Sequence, residues 1–561
     1  MSEFITLRIR EYRRLAQDGV LAVGLLISLG FLGLFVVYPL AKILSVSMSS
    51  EAVAVYQRLL AARGTWRVIL NTLWMGLGVA SVGTLLGFLF AFVQVKLDVP
   101  FKRFFNLIGI LPVISPPFAV AMSTIVLFGR SGLITKRLLG LRYDIYGLDG
   151  LILVMAISFF PVAYLTLVGM MRALDPSLEE AAVNLGASRW RVFRTVTLPM
   201  LTPGLASSFL LLFVEAMADL ANPLLIGGNF TVLASRIYLA IIGEYDLHAG
   251  AVLSLILLLP SLTIFFFQHY WVSRRSYVSV TGKPAGHHQP IRSPWVKWPL
   301  FALCLLISGL IVLMYGFIFV GAVTKVWGIN YGLTLEHFHF VLFGYGSRAM
   351  TDTTLLATIA TPVAGLMGML IAFLVVRRQF VGRELVDFTS VLGLAVPGTV
   401  VGIGFILAFN QPMWGGLFPK LTGTALIIIL AYVVRCISGS VRTGVAALQQ
   451  VDTAMEEASA SLGASSVTTF RRITMPLIRP AFLTGLIYSF ARSMTSLSAI
   501  IFLVTPRWRI MTAQILNEAE TGRFGNAAAY CVVLIAIVLS AIGLMYAGVG
   551  STTGAERLIK T

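Results

Sequence analysis

Charge is what this chain has least of. Of its 561 residues only 12% are Asp, Glu, Lys or Arg, about half the share usual in a soluble domain. With 58% hydrophobic residues and a mean hydropathy of +0.89, this excludes a soluble enzyme and a disordered chain alike. Cysteine is scarcer still. Cys304, Cys436 and Cys531 lie far apart in or beside apolar runs, without C-x-x-C spacing, and read as buried thiols rather than a metal or redox pair. The six histidines do not cluster as a metal site: His287 and His288 lie in a polar segment, and His337 and His339 in a loop where they are expected to be solvated. There is no G-x-x-x-x-G-K-[ST] phosphate loop, no H-E-x-x-H and no Ser/His/Asp constellation, so neither ATP hydrolysis by this chain nor a membrane-embedded hydrolase is supported. Acidic residues number 24 against 42 basic ones, a formal charge of +18. In a soluble chain that excess would suggest nucleic acid. Here the basic residues sit in short loops between apolar runs, where they set membrane orientation, and no nucleic-acid partner is expected.

The sequence is rich in apolar runs of membrane-crossing length. At about 20 residues per crossing they divide into twelve blocks, roughly 19 to 40, 68 to 94, 104 to 128, 150 to 171, 204 to 226 and 248 to 272, then 298 to 320, 352 to 376, 385 to 409, 422 to 441, 481 to 504 and 525 to 549. The fold class is an all-α polytopic membrane protein of twelve transmembrane helices. The first block follows Arg8, Arg10, Arg13 and Arg14. It is too long for a signal-peptide core and lacks a small-residue cleavage site, so it is expected to remain as an anchor. With the N-terminus cytoplasmic, inner segments hold about 25 Lys and Arg against about 15 outside, which favours that orientation. Arg130, Lys136, Arg137 and Arg142 in one outer loop work against it.

The chain repeats itself. Asn71 to Lys96 (NTLWMGLGVASVGTLLGFLFAFVQVK) resembles Asp352 to Arg377 (DTTLLATIATPVAGLMGMLIAFLVVR) at an offset of 281 (71 to 352), and Pro116 falls on Pro397 at the same offset. Further on the offset is 277 (180 to 457): Glu180 pairs with Glu457, Gly186 with Gly463, Pro199 with Pro476 and Pro203 with Pro480. Both copies start on the same side of the membrane, so they are parallel repeats about an axis along the membrane normal. The organisation expected is a first repeat over 1–272, a cytoplasmic linker over 273–297 holding Arg274, Arg275, Lys283, Pro284, His287, His288, Pro290 and Arg292, and a second repeat over 298–561.

Each repeat carries a long inner loop of the same layout, LDPSLEEAAVNLGASRWRVFRTVTLPMLTPG from Leu174 and VDTAMEEASASLGASSVTTFRRITMPLIRPA from Val451. Asp175, followed by Pro176, and Asp452 suit helix N-caps, with Glu179, Glu180, Glu456 and Glu457 complementing the positive end of the dipole. Gly186 and Gly463 suit a left-handed C-cap, Ser188 and Ser465 can cap a second helix, and Pro199 and Pro476 are expected to end it. The unit is a helix, elbow, helix facing the cytosol. Leu185, Trp190 and Phe193 have no evident core within so small a loop, which points to a partner surface. The second copy is more polar, around Val467 and Phe470.

Glu180-Ala181-Ala182, Gly186, Val196 and Leu198-Pro199 resemble the EAA motif of permease subunits of ATP-binding-cassette importers. Glu457-Ala458-Ser459, Gly463, Ile473 and Met475-Pro476 match it again, with Ser459 and Met475 as departures. The resemblance implies a type I importer permease of two six-helix repeats in the bacterial inner membrane. It implies coupling helices seated on two copies of a cytoplasmic ATPase that binds ATP and Mg, no cofactor in this chain, and an extracytoplasmic substrate-binding protein. The runs Asn222 to Phe230, Ser279 to Lys283, Ala395 to Val400 and Arg492 to Ser496 are similar to the fused ferric-iron permeases. Related fused permeases serve aminoethylphosphonate, sugar phosphates and thiamine.

Ionisable residues inside apolar blocks are costly and mark paths or partners. Glu215 and Asp219 share a helix face, and Arg492 stands at the repeat position of Glu215. These three, with Asn222 and Ser496, form the candidate translocation path, with Glu215 and Arg492 as a gate or ion pair. The competing reading leaves them as groups that hold helices together. Arg435 is expected to snorkel to the inner surface. Breaks are expected at Asn222-Pro223, Pro116-Pro117 and Pro397-Gly398. Ferric iron would use the oxygens of Glu215 and Asp219, a phosphorylated anion Arg492 or Arg435. An ion-coupled secondary carrier is the remoter alternative for twelve crossings in two parallel halves.

Overall fold

Within a bilayer every backbone polar group must find its partner inside the protein, which leaves long helices as the building unit of so apolar a chain. The computed structural model describes residues 19–130, 132–268, 270, 290–291, 293–327, 329–412, 416 and 419–548. Arg8, Arg10, Arg13 and Arg14 lie outside the described residues. So does most of the linker, with Arg274, Arg275, the run 279–283, Pro284, His287, His288 and Arg292. Among the described residues eleven helices are long and apolar enough to cross a membrane, or up to twelve if one bent pair is a single span.

In chain order the elements used below are α1 (Ala22–Ser47), α2 (Arg63–Lys96), α3 (Lys102–Ile114), α4 (Pro117–Phe128), α5 (Leu148–Ala173), α6 (Pro176–Asn184), α7 (Arg189–Ala218), α8 (Ala221–Ile226), α9 (Leu247–Phe267) and α10 (Pro294–Ala322). They continue as α11 (Ser347–Arg377), α12 (Arg383–Ala395), α13 (Gly398–Phe409), α14 (Ala425–Gln450), α15 (Thr453–Ser461), α16 (Phe470–Thr495), α17 (Met511–Glu520) and α18 (Phe524–Gly548). A short antiparallel hairpin, Thr324–Val326 with Asn330–Leu333, is the small β element between α10 and α11.

The chain folds into two units, one of 1–52, 346–513 and 536–561, the other of 53–345 and 514–535. The opening helix of each sequence repeat thus belongs to the unit built mainly by the other repeat. In the first unit α1 packs on α11 and α13, with Phe35 on Phe409 at 5.7 Å and Leu370 filling the space over Gly24. In the second unit α10 packs on α3 and α4, with Phe301 edge-on to Phe105 at 5.7 Å and the Tyr315 hydroxyl bonded to Ser115.

Each unit is centred on one close-packed trio: α2 with α5 and α7, and α11 with α14 and α16. Glycine permits the approach. A Cβ on Gly87 would lie 2.5 Å from Ala163 Cβ and 2.8 Å from the Tyr164 nitrogen, and one on Gly368 2.4 Å from Ser440 Cβ. Gly87→Leu is therefore expected to lower the thermal midpoint of the purified chain, at an overpacking cost of about 1–3 kcal/mol or more. Gly169→Leu, with nothing within 4 Å, serves as the control and leaves the midpoint in place.

The blocks expected at 104 to 128 and 385 to 409 are each two helices. Proline removes a donor and forces the preceding residue out of the helical region. Ser115 and Val396 are extended (ψ 153° and 121°) before Pro116 and Pro397, and α12 and α13 meet at 110°. The carbonyls freed at the second break are met by Arg435, whose Nη1 donates to Gly393 O at 3.4 Å and Val396 O at 3.1 Å. Arg435 is thus bound at the break of a neighbouring span instead of snorkelling. The fifth block breaks earlier than expected: α7 ends at Ala218, Asp219 is extended, and Asn222-Pro223 lies inside α8. The break falls there because the Asp219 carboxylate offers an acceptor to the start of the next helix.

The expected end of the elbow's second helix at Pro199 and Pro476 is not what forms. Five-residue π-turns, Phe193–Thr197 and Phe470–Thr474, precede the prolines and carry the helix through them into the membrane. A π-turn changes the carbonyl register, so the missing N–H breaks no regular rung of the ladder. The same device stands before Pro39, at Gly33–Val37. His337 is also not solvated: it is half-buried, with Nδ1 at 2.8 Å from Asn526 Oδ1 and Nε2 at 3.0 Å from Thr324 O. His339 remains exposed. All three cysteines are free and buried.

Candidate coupling elbows and the breaks in the spans

The first elbow is built from caps. Asp175 Oδ1 accepts from Ser177 N at 3.0 Å to open α6, and that backbone donor holds its carboxyl below the usual carboxylate range. At the other end Gly186, with φ +83°, lets Gly186 N reach Val183 O (2.9 Å) and Ala187 N reach Ala182 O (3.1 Å), a complete Schellman pair. Ser188 Oγ then accepts from Arg191 N at 3.4 Å to open α7. The second elbow repeats this with Asp452 Oδ1 on Ala454 N (2.9 Å), Gly463 at φ +80°, Ala464 N on Ser459 O (3.1 Å) and Ser465 Oγ on Thr468 N (3.3 Å).

Glu180, Ala181, Gly186, Glu457, Ala458 and Gly463 are exposed on these elbows, as are Pro199 and Pro476, while Ala182 and Leu198 are half-buried. Leu185 and Leu462, the cap residues, are each 89% exposed, the same value at equivalent points of both elbows. Trp190 is also exposed. Phe193 is not part of that surface: it stacks on Trp190 at 5.6 Å and lies edge-on to Phe92 at 5.8 Å, packed on its own unit. Phe470 likewise packs on Phe373, at 5.1 Å. The serine at the third motif position has a local reason. Ser459 Oγ bonds to Thr469 Oγ1 at 2.9 Å, where the first elbow has Ala182 and the buried Val192 at the repeat-equivalent positions. An apolar pair has been exchanged for a hydrogen-bonded one.

A second feature of both elbows was not legible from motif spacing. Glu179, the neighbour of the exposed Glu180, turns inward. Its oxygens lie 2.7 and 2.8 Å from Lys96 Nζ, and it accepts from Thr197 Oγ1 at 2.8 Å. In the second repeat Glu456 accepts from Arg377 Nε at 3.2 Å and Thr474 Oγ1 at 3.0 Å. The cation side chains are only 4% and 8% exposed. The available signal was a cation closing both copies of the quoted repeat, Lys96 and Arg377. Lys96 O also receives Ile291 N at 2.8 Å, tying the end of the linker to the same point.

Within the spans, Asp219 is buried and its Oδ2 accepts from Asn222 N (3.1 Å) and Asn222 Nδ2 (2.9 Å). Asn222 is fully buried, and its Oδ1 has no hydrogen-bond partner among the described residues. Glu215 is half-buried in the last turn of α7, and Arg492 half-buried in the last turn of α16. Ser496, extended, stands just past α16 as Asp219 does past α7, and its carbonyl accepts from Thr512 Oγ1 at 2.9 Å. The structure therefore gathers Glu215, Asp219 and Asn222 at one helix break and Arg492 and Ser496 at the matching break of the other unit.

The model of the family described as "Binding-protein-dependent transport system inner membrane component" matches residues 83–277 and again 364–549. The chain is 37% identical to the ferric transport system permease protein FbpB of Actinobacillus pleuropneumoniae, over 94% of this chain and 78% of that protein. It is 36% identical to a putative ferric transport system permease of Haemophilus influenzae, over 90% of this chain and 81% of that one. Against the molybdenum transport permease ModB of Escherichia coli K12 it is 30% identical, over 38% of this chain and 94% of ModB. With two matched segments placed one in each repeat, the chain belongs to the family of binding-protein-dependent transport system inner membrane components, as a multi-pass permease with the family domain in tandem.

Proposed function

We propose that this chain is the permease of an ATP-binding-cassette importer that brings ferric iron across the inner membrane. An extracytoplasmic binding protein delivers the cargo. Two copies of a separate cytoplasmic ATPase, which bind ATP and Mg, dock on the two elbows, and the N-terminus faces the cytoplasm. The observation that carries the machinery is the duplicated elbow, with Leu185 and Leu462 equally exposed at identical caps. Solvent-exposed leucines at one geometric point of two repeats suit a two-fold partner. The chain acts as a transport subunit without an ATPase site of its own, since its sequence holds no phosphate loop.

The cargo reading rests on the ferric relatives that align along most of the chain and on oxygen chemistry at the α7 break. Ferric iron prefers hard oxygen ligands, and Asp219 and the unpartnered Asn222 Oδ1 stand at one helix break, one turn beyond Glu215. The cargo path then runs past the breaks that hold Glu215, Asp219, Asn222, Arg492 and Ser496.

Proteoliposomes test the reading. Radiolabelled ferric iron carried by the binding protein is expected to accumulate only with the ATPase and ATP present. Uptake by the chain alone on an ion gradient would overturn the importer reading. ATP-driven uptake of aminoethylphosphonate, a sugar phosphate or thiamine with none of ferric iron would keep the machinery and replace the cargo.

A further inference from the structure

Each elbow is joined by the chain itself to two spans. α6 follows α5 and precedes α7, and α15 follows α14 and precedes α16. The third member of each packed trio, α2 or α11, has no such covalent link to the elbow. It meets the elbow's second helix by aromatic packing, Phe92 on Phe193 and Phe373 on Phe470, and grips its first helix through its last residue, Lys96 on Glu179 and Arg377 on Glu456. We propose that these two part-buried ion pairs are the positioning contacts that make each coupling elbow and its three spans move as one block. Force applied at the elbow then turns α2 and α11 together with the spans covalently attached to it.

Three observations carry this. The pair recurs in both repeats with the same third partner, Thr197 or Thr474, on the first turn below the elbow. The carboxylates are the inward neighbours of exposed Glu180 and Glu457, so one turn of helix faces outward with one glutamate and grips the span with the other. The cations are nearly sealed from solvent, where a hydrogen-bonded pair is held by its geometry and poorly screened. The two grips also differ. Arg377 Nη2 additionally donates to Leu448 O (2.9 Å) and Val451 O (2.8 Å) at the end of α14, so the second elbow is tied to α14 as well as α11 by one side chain. Lys96, a point charge, cannot make that planar fork.

The inference rests on the ATPase-docking reading, and its test separates the two. The full chain is purified with its ATP-binding subunits, carrying spin labels at Ser177→Cys on α6 and Ala62→Cys at the far end of α2; the buried native cysteines stay unlabelled. In the native pairing the label distance is expected to be the same with and without a non-hydrolysable ATP analogue. In Lys96→Met and in Glu179→Gln it is expected to change on nucleotide binding, and ATP-driven uptake to fall at least about tenfold, a usual size for lost coupling between sites. The ATPase should still copurify. The exchanged pair Lys96→Glu with Glu179→Lys is expected to recover the fixed distance and most of the uptake, which a loss of folding would not allow.

A native distance that shifts with nucleotide, or single variants as rigid and as active as the native chain, would overturn the block. Loss of the ATPase from the single variants would show that the pair shapes the docking surface instead, which also overturns it. Failure of any ATPase to copurify with the native chain would overturn the docking reading beneath it.

Discussion

Valine placed at both Gly186 and Gly463 is expected to strip the ATP-binding subunits from this permease while leaving its spans folded. Both glycines stand at positive φ, +83° and +80°, and a Cβ at either would meet nothing within 4 Å. The penalty is therefore one of backbone alone: about 1–2 kcal/mol for an L residue in the left-handed region, and more for a β-branched one. Within each elbow that strain is relieved by giving up the capping hydrogen bonds around the glycine, two at Gly186 and that of Ala464 N on Ser459 O at Gly463, which moves Leu185 and Leu462 off the cap positions that present them. Two such displacements together correspond to a loss of roughly thirty-fold or more in association, at 1.4 kcal/mol per factor of ten. Copurification of the ATPase from solubilised membranes reads the first effect, and the thermal midpoint of the permease controls for folding. Native-level association in the double variant would remove the elbows from the docking surface.

The elbows were readable in the sequence because their signals are local. An Asp before the helix, a Gly after it and a Ser beyond are caps whose chemistry does not depend on distant residues, and the same letters recur at a fixed offset. The breaks at Pro116 and Pro397 were readable for the same reason. Pro199 and Pro476 misled, since a π-turn before a proline leaves no mark in the residue types themselves. Asp219 misled differently: a carboxylate four residues after Glu215 reads as a second charge on one helix face, whereas it ends that helix and receives the start of the next. The partners of Lys96 and Arg377 lie 83 and 79 residues away, and no periodicity within either span connects them. Nor does periodicity show that α1 packs with α11 and α13, because a helix apolar on every side is silent about which neighbour it meets.

Asp219→Ala is expected to abolish transport and to lower the thermal midpoint, and the contrast with Glu215→Gln decides what the α7 break is for. Asp219 Oδ2 takes two hydrogen bonds from Asn222, both buried in a span where water cannot replace them. Removing that acceptor strands the backbone N–H and the amide of Asn222, at about 1–3 kcal/mol for each buried donor left unpaired. Asp219→Asn keeps one carbonyl oxygen and is expected to recover much of the stability, because an amide oxygen can still accept from the Asn222 N–H. If the break lines the cargo path, charge and oxygen donors matter beyond folding. Asp219→Asn then stays folded yet transports poorly, and Glu215→Gln, a near-isosteric change, lowers ferric uptake with no change in thermal midpoint. If the break only joins two helices, uptake follows the midpoint through the whole series and Glu215→Gln transports as the native chain does. Uptake plotted against thermal midpoint for these three variants separates the outcomes, because a residue that holds helices and a residue that meets cargo lose function along different lines.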